Sequence, residues 1–173
     1  GAVNEGRCFE WLIPAMAMVD APLLIYGEGN FSSQCRRLIK AHHLEEKIHM
    51  MGEVKPETLK EITSAAYIGI NLIEPTGLNQ LYSLANKFFD YIQAGIPQVT
   101  MDFPEYRQIN NNYRVAVLVK DPNPANIAEA MNKLWNDQAL YAELSGQCTL
   151  AAADLQWEKE EYTLIRFYQQ IID

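Results

Sequence analysis

Short apolar runs alternate with longer amphipathic segments along this chain, and that alternation limits the folds open to it. The apolar runs predict strands at residues 23–26, 48–51, 67–73, 97–101 and 115–119. Strands that alternate with helices form βαβ units and a parallel sheet. The run at 67–73 is apolar nearly throughout, as expected of a strand covered by helices on both faces. We predict one α/β domain built on a doubly wound parallel sheet.

Helices are predicted between these strands wherever apolar residues recur at helical spacing. They are predicted at residues 31–41, 56–65, 125–136, 138–149 and 158–172. Another helix starts at Ser83 and ends before Gly-Ile-Pro at 95–97, and a short helix lies near Tyr106. A further helix near the N-terminus carries Phe9, Leu12, Ile13 and Met16, and Pro14 is expected to kink it.

The helix near the N-terminus is predicted without a strand ahead of it. The first strand of a doubly wound sheet is commonly central, so we expect the opening strand to be truncated and the chain to be a fragment of a longer protein. Exposed sheet edges present unpaired backbone groups, and we expect them to favour a homodimer of such a fragment.

Composition and charge argue against several classes of protein. The 173 residues carry a net charge of −8, whereas a general nucleic-acid binder needs a basic face. A small anionic ligand is compatible with that charge, because a few cations and a helix N-terminus can hold a diphosphate. Neither a signal peptide nor a membrane span is recognisable. The three cysteines and three histidines lack metal-ligand spacing, so we expect a reduced, cytoplasmic protein without a metal site.

The stretch EPTGLNQLYSLANKFFDYIQAGIP, residues 74–97, holds the largest group of candidate ligand-binding side chains. Ser83 is predicted to cap its helix, whose free N–H groups suit phosphate oxygens. One side of the helix is apolar and expected to face the sheet: Leu84, Phe88, Tyr91 and Ile92. The other side is polar: Asn86, Lys87 and Asp90. Helix N-termini that follow parallel strands lie at the ligand-binding edge of the sheet, where we also expect Glu74.

Simpler interpretations stay open for these groups. Lys87 and Asp90 would form an ordinary surface ion pair worth roughly a few tenths of a kcal/mol. Gly27 and Gly29, after the first strand, either bring backbone close to a ligand or only make a turn, since the third glycine of a dinucleotide fingerprint is missing. Arg7, ahead of the first helix, either reaches a phosphate or lies on the surface.

Several segments together resemble the C-terminal, donor-binding domain of GT-B-fold retaining glycosyltransferases of group one, also called family four. GRCFEWLIPAM is similar to that family's KG…LI.A segment, and NKFFDYIQAGIPQV to its NK.FEY.AAG.PV segment. LLIYGEG, KIHMMGEV, YIGINLIEP and AVLVKDPNPANIAEAMNKLW follow in the expected order. The resemblance implies a Rossmann-like domain over residues 1–173 and a separate N-terminal acceptor domain, which the final helix would contact through Tyr162, Ile165, Phe167 and Tyr168.

The resemblance also implies roles for individual residues. Arg7 falls at the position of a diphosphate-binding lysine, and Lys87 is expected to assist it. Glu74 matches the first acidic residue of the family's two-glutamate motif, which holds sugar hydroxyls. Asp90 matches the second, which holds the ribose. The backbone near the diphosphate would be that of Ser83, Leu84 and Asn86, and the nucleotide would lie near Gly27, Gly29, Gly52, Glu53 and Val54.

Two positions depart from the family pattern. Ala2 stands where many members have a second diphosphate-binding arginine, a charge-assisted contact worth about 1.5–3 kcal/mol. Cys8 stands where glycine is usual. Either Lys87 compensates for the missing arginine, or the donor site is weak or differently built.

The function implied by the resemblance is transfer of a sugar from a UDP- or GDP-sugar to an unknown acceptor, with retention and without a metal or resident cofactor. Family frequency slightly favours uridine. The isolated chain is expected to transfer no sugar because half of the cleft would be missing. We expect a cytoplasmic enzyme, in contact with the membrane only through its other domain. Two alternatives are an inactive, glycosyltransferase-like binding subunit and a NAD-binding module.

Overall fold

A computed structural model describes residues 1–172. Its strands are short and pair in parallel: β1 Leu23–Tyr26, β2 Ile48–Gly52, β3 Gly69–Asn71, β4 Gln98–Met101 and β5 Ala116–Val119. β1 pairs with β2, and β3, β4 and β5 form a second sheet in that order. The predicted Rossmann-like α/β fold is confirmed, with the strands divided between two hydrogen-bonded sheets.

The helices are α1 Phe9–Ala15, α2 Ser32–Ala41, α3 Pro56–Ser64, α4 Leu78–Tyr82, α5 Asn86–Gln93, α6 Pro104–Tyr113, α7 Pro124–Asn136, α8 Gln138–Asp154 and α9 Trp157–Ile172. A 3-10 turn, Met16–Met18, follows α1. α1 packs with α2 and α7, whereas α5 packs with α3 and α8, so helices cover both sides of the strands. Among these helices, none has the length and apolarity needed to cross a membrane.

The strand predicted at residues 67–73 is regular only at Gly69–Asn71. Pairing with β4 ends where Asn71 meets Thr100, so Leu72 and Ile73 are buried without belonging to the ladder. Before the strand, Tyr67 turns its ring onto Tyr141 of α8, with ring centroids 4.0 Å apart. Leu72 and Ile73 therefore contribute to the core rather than to the sheet, and Tyr67 packs against α8.

A buried polar pair joins β3 to β4. Asn71 and Thr100 lie directly opposite one another and are inaccessible to solvent. The Asn71 side-chain amide donates to the Thr100 hydroxyl at 2.9 Å, and that hydroxyl donates to the Asn71 carbonyl oxygen at 3.1 Å. Buried polar groups of this kind are stable only when hydrogen-bonded, so each side chain depends on the other.

The N-terminal segment connects the carboxyl ends of the two sheets. The Gly1 amino group donates to the Tyr26 carbonyl oxygen at 2.7 Å, and the Val3 N–H donates to the Glu28 carbonyl oxygen at 3.1 Å. Further along, the Gly6 carbonyl oxygen accepts from the Glu74 N–H at 3.0 Å. These contacts hold residues 1–6 at the carboxyl ends of the strands.

Candidate functional site

The GEG turn after β1 is shaped by its contact with the N-terminal segment. Gly27 has φ +126°, which side-chain-bearing residues rarely adopt, and a Cβ there would overlap the Gly1 carbonyl oxygen. A Cβ at Gly29 would overlap the carbonyl group of Val3. Both glycines are therefore explained by close packing of backbone on backbone within this chain.

Arg7 and Cys8 lie in the tight loop that leads into α1. Cys8 is the N-cap residue of α1, and its backbone is left-handed, with φ 58°. Glycine adopts that conformation at least cost, which explains why glycine is usual where Cys8 stands. The Cys8 side chain is fully buried, and burial, with Glu74 and Glu10 nearby, raises the pKa of its thiol to about 12. The thiol is therefore neutral and unreactive under ordinary conditions.

Glu74 lies beside the start of α1, where its backbone N–H donates to the Gly6 carbonyl oxygen at 3.0 Å and the Cys8 backbone N–H is close enough to favour its ionised carboxylate. Burial raises the pKa of Glu74, and the neighbouring carboxylates of Glu10 and Glu5 raise it further. Glu10 is in the first turn of α1, and its Oε2 is buried without a hydrogen-bond partner in residues 1–172. Sequence reasoning missed Glu10, because its closeness to Glu74 depends on how the start of α1 packs against the end of β3, which no local spacing shows.

The helix predicted to start at Ser83 is two helices. α4 ends at Ser83, whose backbone is extended, and α5 begins at Asn86 with Ala85 as its N-cap residue. The predicted Ser83 cap is therefore wrong. Tyr106 of α6 accepts a hydrogen bond at this helix start instead: its buried hydroxyl accepts from the Ala85 N–H at 3.0 Å. Leu84, expected on the apolar side, lies in the connection and is exposed, while Phe88 and Ile92 are buried as expected.

Lys87 lies within electrostatic range of Arg7 and does not pair with Asp90. No ion pair joins Lys87 to Asp90 in the described part of the chain, so the predicted surface pair is not formed. Lys87 retains partial solvent exposure, yet protein surrounds its ammonium group, and this burial lowers its pKa to about 8. The Arg7 guanidinium lowers that pKa further. Two cations thus lie within electrostatic range of each other, and neither is paired with a carboxylate within residues 1–172.

Asp90 lies one helical turn after Asn86 on α5, on the exposed side of the helix. Burial raises the pKa of its carboxyl, and the Gly1 amino group opposes that effect. Asp90 and Lys87 both act electrostatically on the Gly1 amino group. The start of α5 is therefore close to the N-terminal segment, which also contacts the GEG turn.

A cleft of about 330 Å³ lies at the carboxyl ends of β1 and β2. Its lining residues are Gly1, Ala2, Tyr26, Gly27, Glu28, Glu53, Val54 and Leu59. Gly27, Glu53 and Val54 are thus brought together, as expected. Gly52 lies directly behind the cleft, where its carbonyl oxygen accepts from the Gly27 N–H at 2.7 Å, whereas Gly29 packs on Val3 outside it.

Several solved structures share this fold. Sucrose-phosphate synthase from Thermosynechococcus elongatus is 20% identical with a TM-score of 0.78, over 98% of this chain and 43% of that chain. HepE from Anabaena in complex with UDP-glucose is 13% identical with a TM-score of 0.76, over 89% of this chain and 42% of that one. The chain spans less than half the length of these two proteins. No curated protein matches it.

Isolated domains of similar size are also alike in fold. The catalytic domain of cholesterol-alpha-glucosyltransferase from Helicobacter pylori is 18% identical with a TM-score of 0.71, over 90% of this chain and 95% of that chain. The family model of glycosyl transferases group 1 matches residues 9–149, which is most of the sequence. The chain therefore belongs to the group 1 glycosyltransferases.

Proposed function

We propose that this chain is the donor-binding domain of an enzyme that transfers a sugar from a nucleoside-diphosphate sugar. The observation that carries this proposal is the pair of cations, Arg7 and Lys87, which are close enough to repel one another and have no carboxylate partners in residues 1–172. Two adjacent cations repel each other, so the arrangement is stabilised when an anion lies between them.

The diphosphate of the donor is the anion proposed for this position. The first N–H groups of α5 lie beside Lys87 and carry partial positive charge. Arg7 offers a planar fork of N–H groups that suits phosphate oxygens. As the bond to the sugar breaks, negative charge grows on the diphosphate, and cations fixed in advance stabilise that charge. We propose that this stabilisation replaces a metal ion.

Glu74 and Asp90 are proposed to hold the sugar and the ribose respectively. The hydrogen bond from the Glu74 N–H to the Gly6 carbonyl oxygen holds Glu74 next to the Arg7 loop, where the sugar attached to the diphosphate would lie. Asp90 is one turn along α5 from the proposed diphosphate and on its exposed side. We propose retention at the anomeric carbon, with the acceptor bound by a separate N-terminal domain. On this proposal the 173-residue chain alone transfers no sugar.

A binding subunit without transferase activity is the second candidate. Ala2 lines the cleft where an arginine is usual, so one diphosphate contact is replaced by a methyl group. An active enzyme needs another group to supply the diphosphate contact that is missing at Ala2. The Lys87 ammonium lies near Gly1 and can supply it. Transfer by the full-length protein that is lost in Glu74→Ala would support the enzyme over the binding subunit.

Asp90→Ala is expected to weaken binding of nucleoside diphosphates about tenfold or more, because a hydrogen bond to a charged group contributes about 1.5–3 kcal/mol. Calorimetric titration with UDP, GDP, ADP and NAD measures the loss. Asp20→Ala is the matched control, since Asp20 is an exposed aspartate at the opposite end of β1. Equal affinity in both variants, or tight binding of NAD alone, would contradict the proposed donor site.

Donor affinity is expected to depend on pH through Lys87. Its pKa is lowered to about 8, so the ammonium is charged below that pH and neutral above it. Binding of a nucleoside diphosphate should weaken about tenfold from about pH 7 to about pH 9, in proportion to the charged fraction. Lys87→Arg keeps its charge over that range and should show a flat profile. A wild-type profile as flat as that of Lys87→Arg would show that Lys87 does not contact the diphosphate.

A further inference from the structure

We infer that the cleft beside Tyr26 selects guanine over uracil, and that the carboxylate of Glu53 recognises the base. This inference rests on the proposed function and specifies the donor as a GDP-sugar. It is carried by the shape of the cleft, by the chemistry of its two carboxylates, and by the fact that only one of them is engaged elsewhere.

The cleft offers a base both apolar walls and a polar end. Tyr26, Val54 and Leu59 provide apolar surface for a flat ring, and the volume is in the range usual for small-molecule sites. Gly52, with φ +74°, turns the chain at the end of β2 and places Glu53 at the cleft. Aromatic and apolar walls hold any base alike, so selection between bases falls to the polar groups.

Of the two carboxylates in the cleft, Glu28 is already engaged. The Arg36 guanidinium donates to its Oε1 at 2.7 Å, and hydrogen bonds from Ser32 and Arg36 lower the pKa of Glu28. Glu53 forms neither an ion pair nor a side-chain hydrogen bond within residues 1–172. Glu53 is therefore the carboxylate available to a ligand.

An ionised carboxylate only accepts hydrogen bonds. Guanine presents two adjacent donors, N1–H and the exocyclic amino group, which match the two oxygens of a carboxylate. Uracil presents a single N–H between two carbonyl oxygens, and both carbonyls would face the negative charge. Adenine presents an amino group beside an acceptor nitrogen, so it offers one favourable contact and one unfavourable one.

The position of the cleft suits a nucleotide whose phosphates reach the cation pair. Gly1 and Ala2 line the cleft on one side, and Gly1 also lies next to Lys87. The start of the N-terminal segment thus lies next to both the cleft and Lys87. A base in the cleft would direct its ribose and diphosphate towards Asp90 and Lys87.

The test is calorimetric titration of the wild-type chain, Glu53→Gln and Glu57→Gln with GDP, UDP and ADP. We expect the wild type to bind GDP at least about tenfold more tightly than UDP, since a lost charge-assisted pair has an effect of that size. Glu53→Gln should reduce the preference about tenfold or more, because its amide can donate to a uracil carbonyl and accept from N3–H. Glu57→Gln, an equal change of charge on the exposed first turn of α3, should leave the preference unchanged.

Two results would overturn the inference alone. The first is wild-type binding of UDP or ADP as tight as that of GDP, and the second is a GDP preference that Glu53→Gln leaves intact. Either would leave the proposed donor site standing, because a nucleoside diphosphate would still bind. If no nucleoside diphosphate binds at all, the proposed function and this inference fail together.

Discussion

Replacing Arg7 and Lys87 together by alanine is expected to weaken nucleoside-diphosphate binding at least about 100-fold, since each charge-assisted contact contributes about 1.5–3 kcal/mol. The two side chains are coupled, because the Arg7 guanidinium lowers the pKa of Lys87. Arg7→Ala alone should therefore raise the pKa of Lys87 and extend its charged range to higher pH. The single losses are not expected to add up to that of the double variant.

Calorimetry with GDP and UDP measures the affinity loss, and guanosine and uridine, which lack phosphates, show whether the base contact survives. Arg37→Ala/Lys40→Ala on α2 removes the same charge from an exposed surface and is the matched control. Affinity that falls equally in the two double variants would mean that only the overall charge of the protein matters. The proposed cation pair would then have no special role.

Gly69→Ala is expected to lower the free energy of unfolding by about 3 kcal/mol, the upper part of the usual range for overpacking a core. An added Cβ would lie 2.5 Å from Cδ2 and Cγ of Tyr91 and 2.8 Å from its Cδ1. Tyr91 cannot retreat easily, because Phe88 and Ile92 of the same helix are fully buried. The added methyl group therefore pushes α5 away from β3, and Lys87 and Asp90 move with it.

Urea unfolding followed by circular dichroism measures the loss of stability. Gly146→Ala is the control, because Gly146 lies in α8 with no heavy atom within 4 Å of an added Cβ. That change should be neutral or stabilising by up to about 1 kcal/mol. Gly69→Ala/Tyr91→Leu removes much of the ring and should recover part of the loss. An unfolding midpoint in Gly69→Ala equal to that of wild type would contradict the tight contact between β3 and α5.

The sequence predicted the elements well where local signals mark both ends. Pro56 stands in the first turn of α3, and the strand at Leu23–Tyr26 was predicted with its observed bounds. Such signals are local and need no knowledge of the fold. The helix predicted only briefly near Tyr106 is longer, Pro104–Tyr113. Where tertiary contacts decided, prediction failed: Tyr106 reaches from another helix to the N–H of Ala85, and the helix start moved from Ser83 to Asn86.

For the candidate site, the sequence indicated where the residues lie but not which side chains are close to one another. Arg7, Glu74, Lys87 and Asp90 are all near the carboxyl ends of the strands, as their positions after strands and at helix starts indicated. A surface ion pair between Lys87 and Asp90 was one open interpretation, because the two are three residues apart on one helix. That pair is not formed within residues 1–172, and Arg7 lowers the pKa of Lys87 instead. The proximity of Arg7 depends on how the N-terminal loop packs on α5, which spacing within one helix cannot reveal.

The buried pair formed by Asn71 and Thr100 has a consequence for how the chain finds its fold. β3 and β4 are short and largely apolar, so sliding one past the other by two residues would keep the same side chains facing the core. In any such misaligned arrangement, the amide of Asn71 and the hydroxyl of Thr100 would be buried apart and unbonded. The loss of two buried hydrogen bonds penalises each wrong alignment by roughly 1–3 kcal/mol per orphaned group. The two side chains thus favour the native pairing of β3 with β4 over misaligned pairings, while they add little to native stability.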